Sequence, residues 1–226
     1  MRDHVIHYAL IMAAGRGSRM MPLTSRIPKA MAPYGESTLI VKGIEKIKRY
    51  VPYVYVTVGY KGALLAEHVV SHGVTGLFDT SGQDNAWWIF NTLMSKLDEP
   101  VFVLTCDNVI ELDFESLEAD YFQLGSPACM VIPVRPVIGL EGDFIHKDDE
   151  SLVRLIDRNI SSNIYCSGIQ VLNPKKITDL IVPSDNFYDV WNQLIELKQV
   201  YCSSIHPSSW FVADTIDQLE NIPPGY

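Results

Sequence analysis

Residues 8–19 read YALIMAAGRGSR, and this stretch decides the fold of the chain. Its first five residues are aliphatic, aromatic or small, which predicts a β-strand buried on both faces. Ala13, Ala14 and Gly15 then remove side-chain bulk where the strand ends, so backbone amides can come close to a ligand. Gly15 and Gly17 permit positive φ, and successive N–H groups in such a loop form a concave nest for phosphate oxygens. The stretch therefore predicts a polyphosphate-binding loop at the end of a buried strand.

Two cations follow the glycines at positions that suit phosphate binding. Arg19 comes directly after Ser18 and can meet phosphate oxygens with its fork of N–H donors, while Lys29 adds a point-like charge. Pro22 and Pro28 stiffen the segment between the cations, so less conformational entropy is lost when both cations are ordered. The alternative is an ordinary glycine-containing surface turn with two solvated cations.

The loop differs from two common phosphate-binding motifs. The dinucleotide fingerprint needs a third glycine where this chain has Met20, and the P-loop needs Gly-Lys-Ser/Thr after four intervening residues. An NAD-dependent oxidoreductase would also need an acid at the end of the second strand, where residues 58–60 read VGY. The sequence therefore disfavours that class.

Residues 9–34, ALIMAAGRGSRMMPLTSRIPKAMAPY, resemble the signature of the nucleotidylyltransferases that activate sugar 1-phosphates and phosphocholine-like alcohols. That signature reads roughly L-A-A-G-x-G-x-R-x-x-P-x-T-x-x-x-P-K. In that family the glycine loop wraps a nucleoside triphosphate, while the arginine and the lysine neutralise its phosphates. The resemblance implies these roles for Gly15, Gly17, Arg19 and Lys29. It also implies nucleotide contacts for Ala13, Ala14 and Ser18.

The rest of the chain alternates strand and helix patterns, as a parallel sheet with crossover helices requires. Strands are predicted at 8–12, 54–58, 76–78 and 101–105, and helices at 39–50, 64–71 and 86–96. We expect an α/β fold, a Rossmann-like three-layer sandwich with a mainly parallel mixed sheet, of the nucleotide-diphospho-sugar transferase type. One nucleotidylyltransferase domain is expected over residues 1–226, with an N-terminal extension at 1–7 and an acceptor-binding subregion at about 109–210.

Composition limits the partners that the chain can bind. The 226 residues carry a net charge of −9, whereas proteins that bind nucleic acid or anionic membranes need a basic face. Residues 1–7 combine charged residues and histidines, so neither a signal peptide nor a spanning helix is expected there, and the cytoplasm is the expected location.

The four cysteines form no C-x-x-C pair, so zinc or redox chemistry is not expected. Whether the protein is a monomer or a homodimer stays open.

A second informative stretch is residues 101–108, VFVLTCDN. An apolar strand that ends in an acid places a carboxylate at the ligand edge of the sheet, where hard oxygen ligands suit a hydrated Mg²⁺ that bridges phosphates. Asp107 is therefore predicted to bind Mg²⁺, and an aspartate that only begins a turn is the alternative. The family carries its metal-binding aspartate in a matching Gly-Asp or Ala-Asp, and Cys106 occupies the small-residue position here.

Residues 210–219, WFVADTIDQL, resemble the closing element of the family, an acid-rich strand followed by threonine and a helix start. The resemblance implies that Asp214 is a second Mg²⁺ ligand. Many relatives place an acid two residues earlier, where this chain has Val212. Asp214 as a sole second ligand and Asp214 as a cap of the following helix both stay open.

Two segments resemble the acceptor site of the family. Residues 151–159, SLVRLIDRN, match a segment in which a basic residue contacts the phosphate of the acceptor, which implies that role for Arg158. Residues 165–174, YCSGIQVLNP, resemble the strand Ser-Gly-Ile-x-Val-Leu-x-Pro. Gly168 in that strand either lets the backbone approach the acceptor or serves simple packing.

Base selection departs from the uridylyl- and guanylyltransferase pattern of the family. Those enzymes carry a Gly-Gly loop after the third strand, whereas residues 80–93 read TSGQDNAWWIFNTL. This loop is closer to the Asn-Asn-x-x-Ser-Leu type of the cytidylyltransferases, with Asn85 able to donate and accept hydrogen bonds on a pyrimidine edge. CTP is therefore the favoured nucleotide. Of Trp87 and Trp88, one is expected in the core, and the other either packs or lines the acceptor pocket.

The combined expectation is a Mg²⁺-dependent nucleotidyltransferase that joins an NMP to a phosphorylated small molecule and releases pyrophosphate. A sugar 1-phosphate or a phosphocholine-like alcohol is the expected acceptor. A UTP- or GTP-dependent sugar-1-phosphate nucleotidylyltransferase is the nearest alternative. A catalytically silent nucleotide-binding relative with a regulatory role is the alternative of another class, and Val212 is the feature that favours it.

Overall fold

The chain folds into two compact units. The structure, a computed structural model, describes residues 5–137, 140 and 142–223. The first unit comprises Met1–Ile6, Asp84–Phe102 and Leu112–Pro207, and the second comprises His7–Gln83, Val103–Glu111 and Ser208–Tyr226. Residues 1–4 of the predicted N-terminal extension lie outside the described residues. The expectation of one nucleotidylyltransferase domain over residues 1–226 stays a prediction.

The described residues form thirteen β-strands and seven α-helices. The strands are β1 (Tyr8–Met12), β2 (Pro33–Tyr34), β3 (Ser37–Thr38), β4 (Tyr53–Val58), β5 (Gly76–Asp79), β6 (Val101–Thr105), β7 (Asn108–Glu111), β8 (Cys129–Val134), β9 (Phe144–Lys147), β10 (Val153–Asp157), β11 (Tyr165–Leu172), β12 (Val200–Cys202) and β13 (Ser209–Val212). The α-helices are α1 (Leu39–Ile47), α2 (Gly62–Val70), α3 (Trp87–Asn91), α4 (Phe114–Gln123), α5 (Pro174–Leu180), α6 (Phe187–Glu196) and α7 (Ile216–Glu220). Single 3₁₀ turns occupy Ser18–Met20, Leu23–Ser25, Lys29–Met31 and Leu93–Lys96.

The second unit is built on a parallel sheet. β1 pairs in parallel with β4, and β4 pairs in parallel with β5. The end of β6 extends this order on the other side of β1, where the N–H of Cys106 donates to the carbonyl oxygen of Met12 at 3.1 Å. Because Met12 ends β1 and Cys106 directly follows β6, this hydrogen bond brings the loop after β1 and the residues after β6 to one sheet edge.

Helix α1 shows how the sequence covers this sheet. Its buried residues recur at helical spacing, at Leu39, Ile40, Val41, Ile44 and Ile47. Thr38 precedes the helix and caps it, because its side chain accepts a hydrogen bond from the N–H of Val41. The alternation of strand and helix that the sequence predicts is therefore present from β1 to β5.

The first unit is largely antiparallel. β11 pairs antiparallel with β8 and with β9, β9 pairs antiparallel with β10, and β12 joins β8 in parallel. Every residue of β8 is buried. Helix α6 buries Phe187, Val190, Trp191 and Leu194 on one face.

Most predicted elements match the structure to within a few residues, but the predicted helix at 86–96 is wrong as one element. It divides into α3 and a 3₁₀ turn at Thr92, whose φ of −122° and ψ of 177° are extended. The hydroxyl of Thr92 donates to the carbonyl oxygen of Trp88 at 2.7 Å. That bond ends α3, because a threonine hydroxyl competes with the helical backbone for its acceptors. Trp88 is 1% exposed and belongs to the core, whereas Trp87 is half-buried.

Two further features concern the chain as a whole. Across the described residues, no helix combines the length and the apolar character that crossing a membrane requires. The cysteines are all free thiols: Cys106, Cys129, Cys166 and Cys202.

Candidate functional site

The glycine loop after β1 presents its backbone at the carboxyl edge of the sheet of the second unit. A Cβ added to Gly15 would meet no atom of the described chain within 4 Å. Within the described residues, the N–H groups of residues 15–17 also donate to no protein acceptor. Open space beside unpaired N–H donors is what an anion needs in order to bind a backbone loop. Gly15 and its neighbours therefore leave both room and N–H donors for an anion, and phosphate binding by this loop stays a prediction.

Ala13 is different from the rest of the loop. Its N–H donates to the hydroxyl of Thr57 at 3.0 Å, and Thr57 is a buried residue of β4. This N–H already has an acceptor, so Ala13 contributes a small side chain and not a free donor. Its predicted nucleotide contact, like those of Ala14 and Ser18, stays a prediction.

Gly17 is required by the fold of the loop. Its φ is +68°, in the left-handed region, and it precedes the 3₁₀ turn Ser18–Met20. A Cβ at this position would lie 2.5 Å from Cβ of Lys29. A side chain at residue 17 would therefore strain the backbone and collide with the stem of Lys29.

Lys29 lies between two carboxylates. Its Nζ is 2.5 Å from Oδ2 of Asp107 and 2.5 Å from Oδ1 of Asp214. The side chain of Lys29 is only 9% exposed, whereas those of Asp107 and Asp214 are 24% and 20% exposed. Burial lowers the pKa of Lys29, but the charges and hydrogen bonds of Asp107 and Asp214 outweigh burial, so its pKa lies above the ordinary value. Lys29 is therefore charged at neutral pH.

A two-stranded ladder brings the two aspartates together. β7 pairs antiparallel with β13, with Val212 opposite Asn108, and the N–H of Ala213 donates to the carbonyl oxygen of Asp107 at 2.9 Å. Asp107 directly precedes β7 and Asp214 follows β13 by two residues, so the ladder holds both at the same end. Val212 takes part in this backbone pairing, and the side chain that reaches Lys29 is that of Asp214.

Arg19 completes a cluster of four charges. Its Nη2 lies 3.0 Å from Oδ2 of Asp214, and its side chain is 64% exposed. Two cations and two carboxylates give the cluster no formal net charge. Met20 and Ala213, the sequence neighbours of Arg19 and Asp214, belong to a buried apolar cluster of the same unit. Its members are Met20, Ala32, Tyr34, Leu39, Val109, Ala213 and Ile222.

The residue types at the cluster fit a magnesium ion. The described residues contain no group of three or more His, Cys, Asp or Glu side chains that could hold a metal by themselves. Mg²⁺ differs from zinc in this respect, because it commonly uses one or two carboxylates and takes its other ligands from water and substrate phosphates. Since one oxygen of Asp107 and one of Asp214 both contact Nζ of Lys29, the carboxylates are close enough to share a cation.

Cys106 is a neutral thiol beside the charge cluster. Burial, with the charge of Asp107 adding to it, raises the pKa of the Cys106 thiol to about 12. The thiol therefore stays protonated near neutral pH, and only the thiolate is a good metal ligand or nucleophile.

Asn85 lies in the first unit, where part of its hydrogen-bonding capacity is used. Its Oδ1 accepts a hydrogen bond from the N–H of Phe187 at 3.0 Å, at the start of α6. The side-chain NH₂ group remains as a donor, whereas the prediction relied on both a donor and an acceptor. An NH₂ donor alone does not distinguish cytosine from uracil or thymine, since all three present a carbonyl oxygen.

Arg158 belongs to a polar group of the first unit. Its Nε lies 3.1 Å from Oδ1 of Asp143, which also accepts a hydrogen bond from the hydroxyl of Tyr188. The guanidinium lies 6.0 Å from the centre of the Tyr188 ring. Hydrogen bonding and charge from Asp143 raise the pKa of Arg158, so the guanidinium is held through Nε and keeps its charge.

Gly168 has a conformational reason to be glycine. Its φ is +84°, and the register of β11 against β8 shifts between Cys166 and Gln170. A β-bulge with a left-handed residue favours glycine without any ligand. The predicted contact of Gly168 with the acceptor stays a prediction.

Sequence reasoning missed three residues that support the glycine loop, namely Thr57, Thr24 and Tyr60. Thr24 is fully buried and its hydroxyl donates to the carbonyl oxygen of Gly17 at 2.9 Å. The hydroxyl of Tyr60 donates to the carbonyl oxygen of Thr24 at 2.9 Å. Thr24 stands at the threonine of the signature quoted above, and that match was the available signal for it.

Comparison with known proteins identifies the family of the chain. Residues 9–136, more than half of the chain, match the family described as the MobA-like NTP transferase domain. The chain therefore belongs to that family. The resemblance that the sequence motifs indicated is confirmed.

Curated relatives include nucleotidyltransferases of sugar phosphates. A mannose-1-phosphate guanyltransferase of Debaryomyces hansenii is 27% identical over 209 residues, which cover 85% of this chain and 57% of the relative. The bifunctional protein GlmU of Methanocaldococcus jannaschii is 27% identical over 178 residues, covering 76% of this chain and 41% of the relative. The chain thus spans about half the length of these curated relatives.

Solved structures share the fold over almost the whole chain. A protein of Bacillus anthracis assigned as a glucose-1-phosphate thymidylyltransferase aligns with a TM-score of 0.77 and 16% identity, covering 97% of this chain and 98% of that one. The CTP:phosphocholine cytidylyltransferase of Streptococcus pneumoniae aligns with a TM-score of 0.74 and 20% identity, covering 96% and 97%. The predicted α/β Rossmann-like fold with a mixed, mainly parallel sheet is confirmed.

Proposed function

We propose that the protein transfers an NMP from a nucleoside triphosphate to a sugar 1-phosphate and releases pyrophosphate. The observation that carries the proposal is the cluster of Lys29, Arg19, Asp107 and Asp214 beside an open glycine loop. The choice of a sugar 1-phosphate as acceptor is supported by the curated relatives, one of which is named for mannose 1-phosphate. The proposal covers only the nucleotidyl transfer and no other activity of these longer relatives, since the chain spans about half of their length.

The proposed chemistry is an in-line displacement. An oxygen of the acceptor phosphate attacks the α-phosphorus of the triphosphate, a new P–O bond forms, and the bond to the departing pyrophosphate breaks. The acceptor phosphate is already an anion near neutral pH, so the step needs no protein base. Positioning and charge stabilisation are then the main contributions of the protein.

Each residue of the cluster has a role in this proposal. The N–H groups of residues 15–17 bind phosphate oxygens, and the exposed guanidinium of Arg19 turns from Asp214 to the triphosphate. Lys29 carries a fixed positive charge at the phosphates, and its burial strengthens that charge's effect. Asp107 and Asp214 would hold Mg²⁺, which when bound would neutralise part of the negative charge of the phosphates.

The proposal admits more nucleotides than CTP, which the sequence favours. CTP remains a candidate, but Asn85 offers only its NH₂ group, because its oxygen is bonded to the N–H of Phe187. The named relatives use guanylyl, thymidylyl and cytidylyl groups between them. UTP, dTTP or GTP with a sugar 1-phosphate therefore fits as well as CTP.

A CTP-dependent transfer to phosphocholine is the second candidate. The aligned Streptococcus pneumoniae enzyme is named for that reaction. In the first unit of this chain, Tyr188 supplies an aromatic ring and Asp143 a carboxylate beside it. Those two groups suit a quaternary ammonium. Arg158 lies over the Tyr188 ring, however, and a guanidinium suits the phosphate of either acceptor.

A substrate panel tests the proposal directly. The purified chain is incubated with Mg²⁺, each of ATP, CTP, GTP, UTP and dTTP, and either a set of sugar 1-phosphates or phosphocholine. Pyrophosphate release with a sugar 1-phosphate supports the proposal, and release only with phosphocholine selects the second candidate. Triphosphate binding with no release across a broad panel supports the silent, regulatory alternative instead.

A further inference from the structure

Tyr60 contacts the glycine loop at two separate points. Its N–H donates to the carbonyl oxygen of Ala14 at 3.0 Å, and its hydroxyl donates to the carbonyl oxygen of Thr24 at 2.9 Å. The neighbouring Gly59 packs so closely that an added Cβ would lie 2.7 Å from the carbonyl oxygen of Ala14. The turn after β4 and the loop after β1 are therefore fixed against each other.

The hydroxyl of Tyr60 is linked to the second glycine through one further residue. Thr24, whose carbonyl oxygen accepts the Tyr60 hydrogen bond, donates its own hydroxyl to the carbonyl oxygen of Gly17 at 2.9 Å. Gly17 in turn packs against the stem of Lys29. A change at the Tyr60 hydroxyl thus reaches the loop that carries the N–H donors and the lysine beside it.

The ring of Tyr60 also holds cations near the loop. The guanidinium carbon of Arg16 lies 5.3 Å from the ring centre, and Nζ of Lys61 lies 5.5 Å from it. Arg16 stands between the two glycines and is exposed, so the ring restricts a side chain that is otherwise free to move.

We propose that Tyr60 is a positioning residue that holds the glycine loop, residues 14–17, in the conformation that binds the phosphates of the nucleotide. This inference rests on the proposed function, since it takes the ligand of the loop to be a nucleoside triphosphate. A loop that is already ordered loses less entropy on binding, so its N–H donors bind the phosphates more tightly. The same phosphates are held before and during transfer, so the effect belongs mainly to KM and less to kcat.

The test compares Tyr60→Phe with Tyr53→Phe. Tyr60→Phe keeps the ring and the backbone N–H but removes the hydrogen bond to Thr24, and the loss of one hydrogen bond predicts an increase of about three- to tenfold in KM for the nucleotide. The KM for the acceptor and kcat are expected to stay within about twofold. Tyr53 is an exposed tyrosine of the same unit that stacks on Tyr8, and Tyr53→Phe is expected to change none of these values.

A double variant tests the route through Thr24. Thr24→Val removes the hydrogen bond to Gly17, and together with Tyr60→Phe it should raise the nucleotide KM by less than the product of the two single effects. A full product would contradict action through Thr24. An unchanged nucleotide KM in Tyr60→Phe, or equal losses for nucleotide and acceptor, would overturn the positioning role.

These results differ from those expected if the proposed function is wrong. In that case the unmodified protein releases no pyrophosphate across the substrate panel, and triphosphate affinity, measured with Mg²⁺ by calorimetry or by a shift in melting temperature, replaces the nucleotide KM as the test of Tyr60. A protein that binds a triphosphate equally well with and without the Tyr60 hydroxyl rejects only the inference about Tyr60.

Discussion

Nζ of Lys29 donates to Oδ2 of Asp107 at 2.5 Å, across 78 residues of sequence. In the proposed reaction this buried cation acts on the phosphates, so Lys29→Ala is expected to lower the rate of pyrophosphate release at least about a hundredfold. Lys42→Ala is the matched control, because Lys42 is an exposed lysine of α1 in the same unit. Steady-state assays of the two variants check this, with circular dichroism to verify that both are folded. If a folded Lys29→Ala protein has near-normal turnover, then Lys29 does not contribute to the reaction.

The two glycines of the loop are expected to respond differently to alanine. Gly17→Ala should destabilise the protein, because the φ of Gly17 is +68° and the new Cβ would collide with Lys29. Gly15→Ala meets no described atom within 4 Å and should leave the melting temperature nearly unchanged. Its methyl group would nevertheless occupy the space that phosphate oxygens need, so triphosphate affinity should fall about tenfold or more.

Thermal unfolding and nucleotide titration of the two variants distinguish these effects. If Gly15→Ala binds triphosphate as tightly as the unmodified protein, then the loop does not contact the phosphates. If Gly17→Ala is as stable as the unmodified protein, then the contact of Gly17 with Lys29 does not constrain the fold.

The ion pairs of Lys29 predict how stability depends on alkaline pH. The pKa of Lys29 is higher in the folded protein than in the unfolded chain, so its stabilisation is fully present below the unfolded pKa of about 10.4 and is lost as the pH rises through the folded pKa. The difference in unfolding free energy between the unmodified protein and Lys29→Met should be about 1.5–3 kcal/mol and constant from pH 8 to 10. Urea unfolding at pH 8, 9, 10 and 11 should show that difference shrinking only above pH 10. A difference that is the same at pH 8 and pH 11 would contradict the expectation.

Arg158 is the residue proposed to bind the acceptor phosphate, and Arg154 is its matched control. Each has a side chain that is 54% exposed and an aspartate partner, Asp143 for Arg158 and Asp148 for Arg154. Arg158→Ala is expected to raise the KM for the sugar phosphate about tenfold or more and to leave the nucleotide KM within about twofold, since a lost charged hydrogen bond is worth about 1.5–3 kcal/mol. Arg154→Ala should change neither value. Equal effects of both substitutions would place the acceptor phosphate elsewhere.

Much of the second unit could be predicted from local sequence. The run of apolar residues at 8–12 and the glycines after it give the strand and the loop directly, because burial and positive φ are local requirements. Strands β1 and β6 have the predicted bounds, Tyr8–Met12 and Val101–Thr105. Helix and strand positions at 39–79 are also close to those predicted.

The contacts that complete the charge cluster were harder to predict, because they depend on long-range pairing. The ladder of β7 with β13 joins residues about a hundred positions apart, and no local pattern specifies its register. That register aligns Val212 with Asn108 and sets Asp214, not residue 212, beside Lys29. The support of the glycine loop by Tyr60 was missed for the same reason, since a turn residue gives no local sign of its distant partner.

The most direct test of the central claim is the rate of pyrophosphate release by Asp107→Asn. Asp107 is expected to hold Mg²⁺, and an amide keeps the size of the side chain but lacks the charge. Asp217→Asn, an exposed aspartate in the first turn of α7, is the control. The account predicts that Asp107→Asn lowers the rate at least about a hundredfold at saturating nucleotide and Mg²⁺, while Asp217→Asn keeps normal activity. A folded Asp107→Asn protein that releases pyrophosphate at the unmodified rate would contradict nucleotidyl transfer at this site.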